Sequence, residues 1–192
     1  MIYLVTAILA YLFGSLPSGY LVGRFVYKKD IRKMGSGNVG TTNAFRNFGK
    51  CAGILTFALD FLKGFIACFI ANWLLGENAL YIAMIFVVLG HMFSFILKFK
   101  AGKGVATIFG CLMYIDFKFA LSLFMIFLIL FLLTRIVSFA SVSLCVIAIV
   151  YGIYEFGISK FTMALSFLAI IILIKHKDNI KRLRRGEEKK IF

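Results

Sequence analysis

One short segment of the chain concentrates groups that hydrogen-bond anions. Residues 35–46 read Gly-Ser-Gly-Asn-Val-Gly-Thr-Thr-Asn-Ala-Phe-Arg. The glycines let the backbone approach a ligand and present its N–H groups, and the hydroxyls, amides and guanidinium add donors suited to phosphate oxygens. The segment therefore predicts a phosphate-binding loop, which we call the first loop. Its candidate ligand-binding residues are Gly35, Ser36, Gly37, Asn38, Gly40, Thr41, Thr42, Asn43 and Arg46.

The glycines of the first loop form the pattern G-x-G-x-x-G, which is typical of dinucleotide sites only when it follows a β-strand within a βαβ unit. No such unit is predicted around residues 35–46. The pattern therefore indicates an anion-binding nest rather than a dinucleotide fold. We also expect Thr42 or Asn43 to cap a following helix whose N-terminus points at the ligand.

A second group of polar residues follows an apolar stretch, and we call residues 98–104 the second loop. Gly102, Lys103 and Gly104 precede a predicted helix, so they supply backbone donors, the positive end of a helix dipole and an ammonium group. The loop is not a Walker A motif, because Lys103 is followed by glycine rather than serine or threonine. His91, near the end of the preceding apolar stretch, has two open interpretations: hydrogen-bonded packing or a functional role.

The C-terminal tail, residues 175–192, is the third polar segment and holds eight Lys or Arg against three acidic residues. Its simplest interpretation is a basic helix that lies on anionic lipid. His176 and Asn179 are three positions apart, so one helical face would carry both side chains.

The composition indicates the environment of these segments. Of the 192 residues, 62% are hydrophobic, against about 45–50% in soluble domains, so we predict an integral membrane protein. The net charge of +14 is concentrated at the ends of apolar runs, as in cytoplasmic loops under the positive-inside rule. That distribution argues against a nucleic-acid partner. The four cysteines lie in or beside apolar segments without a C-x-x-C spacing, which indicates packing rather than a disulfide framework or a metal site.

The apolar runs predict an all-α, polytopic transmembrane bundle that forms a single integral membrane domain over residues 1–192. The first span, residues 1–27, contains Gly-Ser-Leu-Pro-Ser-Gly at positions 14–19 and should be kinked there. Residues 105–115 reach only about half a bilayer at a rise of about 1.5 Å per residue, which favours a half-helix. The remaining predicted segments are 51–75, 79–97, 119–133, 136–154 and 158–174.

Seven membrane segments place the N-terminus outside and the C-terminus in the cytoplasm, in agreement with the positive-inside rule. Five segments are the alternative, in which residues 105–133 and 136–174 each cross once. Both counts keep the basic tail inside. The predicted cytoplasmic regions are the loops 28–50 and 98–104 and the tail 175–192.

Several catalytic arrangements are absent from the sequence. Neither His91 nor His176 is followed five positions later by aspartate, so the H-x4-D pair with which many acyltransferases activate a hydroxyl is not present. No G-x-S-x-G elbow indicates a Ser-His-Asp enzyme. The eight acidic residues do not form the clusters that a Mg²⁺-dependent CDP-alcohol phosphotransferase needs. We therefore expect neither a metal nor a cofactor.

Together the three polar segments resemble the bacterial acyl-phosphate:glycerol-3-phosphate acyltransferase family (PlsY) along nearly the whole chain. Its first motif is matched by Asp30-Ile31-Arg32-Lys33, Gly35-Ser36-Gly37-Asn38 and Thr42-Asn43 through Arg46. Its second is matched by Gly90-His91, Phe93 and Gly102-Lys103-Gly104-Val105-Ala106-Thr107. Its third is matched by His176, Asn179-Ile180, Arg182-Leu183, Gly186 and Glu188. The departures are Ser94, Ala101 and Thr41, where the family often has proline, glycine and alanine.

The resemblance implies a membrane enzyme that moves a fatty acyl group from acyl phosphate to the sn-1 hydroxyl of glycerol 3-phosphate. The products would be lysophosphatidic acid and inorganic phosphate, in the first acylation step of phospholipid biosynthesis. The enzyme would lie among the lipids of the bacterial cell (inner) membrane, with its active site on the cytoplasmic side, and would meet the soluble enzyme that makes acyl phosphate. Because acyl phosphate is already activated, we expect direct transfer without an acyl-enzyme.

The same resemblance implies roles for individual residues. The second loop would hold acyl phosphate, and the first loop would hold glycerol 3-phosphate and the developing charge. His176 and Asn179 would close the site, and Arg182 and Glu188 would bind substrate. All of these groups are expected to converge in one cationic cavity. The residues expected to be catalytic are Ser36, Arg46, Lys103, His176 and Asn179; those expected to bind substrate are Gly35, Gly37, Asn38, Gly40, Thr41, Thr42, Asn43, Gly102, Gly104, Arg182 and Glu188.

A transporter or flippase for an anionic lipid or organophosphate is the alternative function. A kinked first span, half-length helices and basic pockets would serve transport as well. Two features count against it: no internal repeat is visible, and every polar segment falls on one predicted face of the membrane rather than at its midplane.

Overall fold

The structure, a computed structural model, describes residues 1–191, and these residues form helices and no β-strand. This confirms the predicted all-α fold. A π-helical turn at Val22–Val26 and 3₁₀ turns at Ile31–Lys33 and Phe95–Leu97 lie between the longer elements. The α-helices are α1 (Ile2–Gly14), α2 (Ser18–Leu21), α3 (Thr41–Phe48), α4 (Lys50–Leu75), α5 (Glu77–Met92), α6 (Val105–Ile115), α7 (Phe117–Thr134), α8 (Val137–Phe156), α9 (Lys160–Lys175) and α10 (Lys177–Arg184).

The chain divides into two compact units. The first unit, Met1–Ile115, contains α1 to α6 together with the first and second loops. The second unit begins at Asp116 and contains α7 to α10. The single domain expected over residues 1–192 stays a prediction.

The first span is broken where the sequence predicts it. α1 ends at Gly14, and Pro17, which has no backbone N–H, directly precedes the short α2. The backbone then passes through the π-helical turn Val22–Val26. Next to the break, the Leu16 carbonyl accepts a hydrogen bond from the Lys63 ammonium at 3.1 Å. A side chain of α4 therefore satisfies a polar group at the break, as a membrane-spanning segment requires.

Two pairs of helices in the first unit pack together at glycines. Gly14 of α1 and Gly90 of α5 each lie against the backbone of the facing helix, and Gly64 of α4 and Gly110 of α6 form a second pair of this kind. A methyl group at any of these four positions would fall on a backbone carbonyl of the other helix. Such small residues permit the close backbone approach that is typical of helix pairs in membranes. The packing fixes α5 and α6, the helices that flank the second loop.

Side-chain caps define where helices begin in the second unit. Asp116 accepts the Phe119 backbone N–H at 2.8 Å and starts α7. Ser159 and Thr162 form a capping box at the start of α9. These caps separate α6 from α7 and α8 from α9, so each of the two ambiguous apolar runs contains two helices.

The seven-segment prediction requires that residues 105–133 and residues 136–174 each contain two helices, and they do. However, α6 has 11 residues and α9 has 16, fewer than the roughly 20 of a full crossing. Seven crossings, and the orientation of the termini and loops, therefore stay predictions. The stretches of the described chain that are long and apolar enough to cross a membrane number five: Ile2–Val26, Lys50–Leu75, Glu77–Leu97, Phe117–Thr134 and Val137–Phe156.

Candidate active site

The first loop is folded around the buried side-chain amide of Asn43. Its Oδ1 accepts the Ser36 backbone N–H at 3.1 Å. Its Nδ2 donates to the carbonyl of Asn38 at 2.8 Å and to that of Met34 at 3.0 Å. One buried side chain thus satisfies backbone groups along the loop, which would otherwise be left unpaired. The Asn43 amide fixes the shape of the first loop, and its contact with substrate stays a prediction.

The predicted helix cap is wrong. α3 begins at Thr41 and its N-cap residue is Gly40, so neither Thr42 nor Asn43 caps it. Both lie inside the first helical turn, where the Asn43 amide is engaged with the loop instead. The Gly40 backbone N–H donates to Asn38 Oδ1 at 2.8 Å, and this Asx turn leads the chain into α3.

The remaining donors of the first loop keep access to solvent. Ser36 and Arg46 are exposed, and the two threonines that begin α3 are half-buried. Gly35 and Gly37 have φ angles of 56° and 71°, in the left-handed region that favours glycine. At Gly35 a side chain would also collide with the Asn43 amide. The loop therefore combines a rigid interior with an accessible outer row of donors.

An ion pair lies just ahead of the first loop. The Arg32 guanidinium lies 2.7 Å from the Asp30 carboxylate, and its hydrogen bonds lower the pKa of Asp30 to about 2. Asp30 also accepts the Arg32 backbone N–H at 3.0 Å and thereby caps the turn Ile31–Lys33. The guanidinium carbon lies 4.6 Å from the centre of the Tyr20 ring, within cation–π range. The pair holds the chain where it leaves the first span.

The second loop lies beside the first. Asn38 Nδ2 donates to the Ala101 carbonyl at 3.3 Å, which joins the two loops directly. Lys103 is half-buried, and Gly104 has a φ angle of 87°. The next residue begins α6, as the sequence predicts. Within the first unit, the structure therefore brings the two predicted phosphate-binding loops together.

The first unit also contains a buried polar group that sequence reasoning missed. Asp60 Oδ1 accepts a hydrogen bond from Ser18 Oγ at 2.7 Å. The same oxygen lies 2.7 Å from Lys63 Nζ and 3.3 Å from His91 Nδ1. All four side chains are buried, and we call them the Asp60 cluster. One feature of the sequence points to this cluster: Asp60 and Lys63 lie three positions apart inside an apolar span. Charged side chains there cost free energy and are therefore usually paired.

His91 is the member of the Asp60 cluster that lies against the second loop. The imidazole contacts Asp60 through Nδ1, and a Cβ atom built on Gly102 would overlap the ring near Nε2. Gly102 itself is buried. Of the two interpretations left open by the sequence, the structure shows packing with a polar contact, and this packing involves a residue of the predicted site.

In the second unit, the Glu188 carboxylate collects three hydrogen bonds. Oε1 accepts from Ser138 Oγ at 2.8 Å and from Asn179 Nδ2 at 2.7 Å, and Oε2 accepts from Arg182 Nε at 2.5 Å. Burial by itself raises the pKa of Glu188, but these hydrogen bonds outweigh it and lower the pKa below its ordinary value of 4.5. The ionised carboxylate holds Asn179 and Arg182 in place, and a direct contact of Glu188 with substrate stays a prediction.

His176 lies at the junction of α9 and α10 and is buried. Its Nδ1 lies 2.8 Å from the Ile172 carbonyl, and because a carbonyl only accepts, Nδ1 carries the proton. In a neutral imidazole Nε2 is then an acceptor, which suits contact with a hydroxyl. Asn179 is buried as well, one turn into α10.

The predicted catalytic residues thus fall into two groups. Ser36, Arg46 and Lys103 lie in the first unit, and His176 and Asn179 lie in the second. The convergence of all five in one cavity stays a prediction.

Residues 4–186 match the model of a protein family described as glycerol-3-phosphate acyltransferase. A glycerol-3-phosphate acyltransferase of Carboxydothermus hydrogenoformans is 43% identical over 189 residues, which cover 98% of this chain and 96% of that protein. A glycerol-3-phosphate acyltransferase of Staphylococcus aureus (strain bovine RF122 / ET3-1) is 38% identical over 203 residues and covers 100% and 98% of the two chains.

The fold is also similar to solved crystal structures of PlsY, described as an integral membrane glycerol 3-phosphate acyltransferase. Its glycerol 3-phosphate form has a TM-score of 0.93 and 36% sequence identity, covering 99% of this chain and 96% of that one. Its lysophosphatidic acid form has a TM-score of 0.90 at the same identity, covering 99% and 95%. The match extends over whole chains in sequence and in structure, and this protein therefore belongs to the glycerol-3-phosphate acyltransferase family and is an integral membrane acyltransferase.

Proposed function

We propose that the enzyme transfers a fatty acyl group from acyl phosphate to the sn-1 hydroxyl of glycerol 3-phosphate, and releases lysophosphatidic acid and inorganic phosphate. The observation that carries the proposal is the hydrogen bond from Asn38 to the Ala101 carbonyl, because it joins two donor-rich loops side by side. A reaction between two phosphate-bearing substrates needs two neighbouring anion sites. The similar PlsY structures, described with glycerol 3-phosphate and with lysophosphatidic acid, support the acceptor and the product.

We assign the two phosphates to the two loops by their donors. The second loop, with Gly102, Lys103 and Gly104, would hold acyl phosphate at the start of α6, where backbone N–H groups and an ammonium meet. The first loop would hold glycerol 3-phosphate through Ser36, Arg46 and its other donors. His176 and Asn179 complete the assignment as the residues that contact the reacting groups.

Transfer is proposed to occur in one step. The sn-1 hydroxyl oxygen attacks the acyl carbonyl carbon, the bond from that carbon to the phosphate oxygen breaks, and phosphate leaves with the electron pair. A phosphate oxygen of the substrate takes the hydroxyl proton. Because the donor is already activated, positioning and charge stabilisation are the main requirements of the protein. No acyl-enzyme is needed, and three of the four cysteines are buried.

The reaction is proposed to take place at the cytoplasmic side of the bacterial cell (inner) membrane. Acyl phosphate would then arrive from the soluble enzyme that makes it, while the acyl chain stays among membrane lipids. The basic residues of the loops and tail favour that side.

The experiment is release of phosphate from acyl phosphate by the purified protein in detergent, measured with and without glycerol 3-phosphate. We expect release that depends on both substrates, and lysophosphatidic acid in equal amount. Lys103→Ala and Arg46→Ala are expected to abolish most turnover, whereas a variant with all four cysteines replaced by alanine is the matched control and retains it. Phosphate release without glycerol 3-phosphate, or an acyl group trapped on the protein by acyl phosphate alone, would contradict the mechanism.

A further inference from the structure

The Asp60 cluster connects three separate elements of the first unit. Ser18 belongs to the short α2 after the break, Asp60 and Lys63 to α4, and His91 to α5. Lys63 extends the connection, because its ammonium also donates to the Leu16 carbonyl at the break. The cluster therefore ties the broken first span to the two helices packed beside it.

The opposite charges of the cluster lie on buried side chains. The Lys63 ammonium lies 2.7 Å from the Asp60 carboxylate, and the side chains of both are no more than 5% exposed. Groups buried to this degree are retained in a fold only when they are paired, because desolvation is costly. Asp60 Oδ1, held by Ser18 and Lys63, also lies 3.3 Å from Nδ1 of the His91 imidazole.

Both proposed phosphate-binding loops lie next to this cluster. A small cavity of about 10 Å³ is bordered by Asp60, Lys63 and His91, and also by Val39 of the first loop and Ala101 of the second. The His91 ring lies so close to Gly102 that a Cβ atom there would overlap it. The ring thus forms part of the surface that shapes the second loop.

We propose that Asp60, Lys63 and His91 are positioning residues for the second loop. The ion pair holds the His91 ring, and the ring supports the backbone at Gly102, so the N–H groups and the ammonium of the loop keep the geometry that phosphate binding requires. The inference rests on the proposed function of the loop, but the packing that it describes does not depend on the identity of the acyl donor.

A double-mutant cycle tests the contact between His91 and Gly102. Gly102 does not occupy the left-handed region of φ, so the cost of Gly102→Ala comes from overlap with the ring. We expect Gly102→Ala to raise the KM for one phosphate substrate by about tenfold, and to raise it by less than about threefold when His91→Ala is already present. Gly104→Ala is the matched control, since its cost is backbone strain at a φ angle of 87° and His91→Ala should not relieve it.

A second measurement tests the ion pair. Asp60→Asn is expected to raise the same KM by about fivefold or more, with kcat within about threefold of wild type, because it disturbs binding rather than the chemical step. Thr6→Val is the control. Thr6 is also buried in the first unit, but its hydroxyl donates to the Ile2 carbonyl of its own helix, so the KM of this variant should be unchanged.

Thermal unfolding midpoints of the same variants separate this inference from the proposed function. A wild-type protein without acyl-phosphate turnover overturns the proposed donor, yet the midpoint of Gly102→Ala should still recover in the His91→Ala background. The positioning role would be overturned if the effects of His91→Ala and Gly102→Ala on KM and on thermal midpoint were simply additive. It would also be overturned if His91→Ala relieved Gly104→Ala as much as it relieves Gly102→Ala. A loss of kcat with unchanged KM in Asp60→Asn would do the same.

Discussion

Replacement of Glu188 by alanine removes the acceptor of three hydrogen bonds, and its cost follows from the exposure of the three donors. Asn179 and Ser138 are buried, and a buried hydrogen bond that loses its acceptor costs about 1–3 kcal/mol. The Arg182 side chain is 43% exposed, so water replaces much of its lost contact, which is worth at most about 1 kcal/mol. The sum predicts that Glu188→Ala destabilises the protein by about 2–7 kcal/mol.

Glu188→Gln provides a graded comparison. The glutamine keeps one carbonyl oxygen for Ser138 and Asn179 but faces Arg182 with an amide group that donates rather than accepts. We therefore expect a loss of about 1 kcal/mol, close to the value of the exposed pair alone. Glu187→Ala is the matched control because Glu187 is adjacent and exposed, and its midpoint should stay near that of wild type.

The contribution of Glu188 to folding stability should depend on pH in one direction. The pKa of Glu188 is lower in the folded protein than its ordinary value of 4.5, so its charge contributes stability that is fully present above pH 4.5. That contribution is lost as the pH falls through the folded-state pKa. The difference in stability between wild type and Glu188→Gln should therefore be constant near neutral pH and shrink below pH 4.5.

The assay is thermal unfolding of the purified variants in detergent, combined with turnover. A loss of at least about 2 kcal/mol corresponds to a fall in midpoint of about 4–8 °C or more for Glu188→Ala. Under the proposed function, the displaced Asn179 side chain also lowers kcat. Equal midpoints for Glu188→Ala and Glu187→Ala would refute the reasoning. So would a Gln variant as unstable as the Ala variant, or a difference that persists unchanged at acid pH.

Two further predictions concern the helix packing and the buried charges of the first unit. Gly110→Ala should lower the thermal midpoint more than Gly152→Ala does. The added methyl meets a backbone carbonyl at Gly110, but at Gly152 it meets the end of the flexible Leu165 side chain. Equal midpoints would contradict the close approach of α4 and α6. Asp60→Asn alone should destabilise the fold by about 3–5 kcal/mol, because it leaves the Lys63 charge buried without its carboxylate. Adding Lys63→Met should recover part of that loss in the same unfolding assay. A double variant less stable than Asp60→Asn alone would show that the unpaired charge is not the source of the cost.

The sequence predicts features that depend on local composition. The segment 105–115 is bounded by Gly104, whose backbone is left-handed, and by Asp116, whose side chain caps the next helix, so both ends of α6 follow from neighbouring residues. The break in the first span follows in the same way from Pro17. The donor-rich loops are recognisable because hydroxyls and amides are rare in an otherwise apolar chain.

Features that depend on distant contacts were not predictable in this way. An asparagine near a helix start is a reasonable cap, but the Asn43 amide bonds the backbone of Met34, nine positions away, and leaves Gly40 as the cap. The Asp60 cluster is even harder to predict from the sequence, since Ser18 and Asp60 are 42 positions apart. Only the presence of charges inside an apolar span points to such a partner.

The residues that support the loops and the residues that face substrate should respond differently to replacement. Ser36 and Arg46 are exposed, so under the proposed function their removal should lower turnover more than it lowers the thermal midpoint. Asn43 is buried and bonds several backbone groups, so its removal costs stability and, through the altered loop, activity as well. A catalyst that relies on positioning an activated donor needs both kinds of residue, and comparing turnover with thermal stability for each variant distinguishes them without any knowledge of the bound geometry.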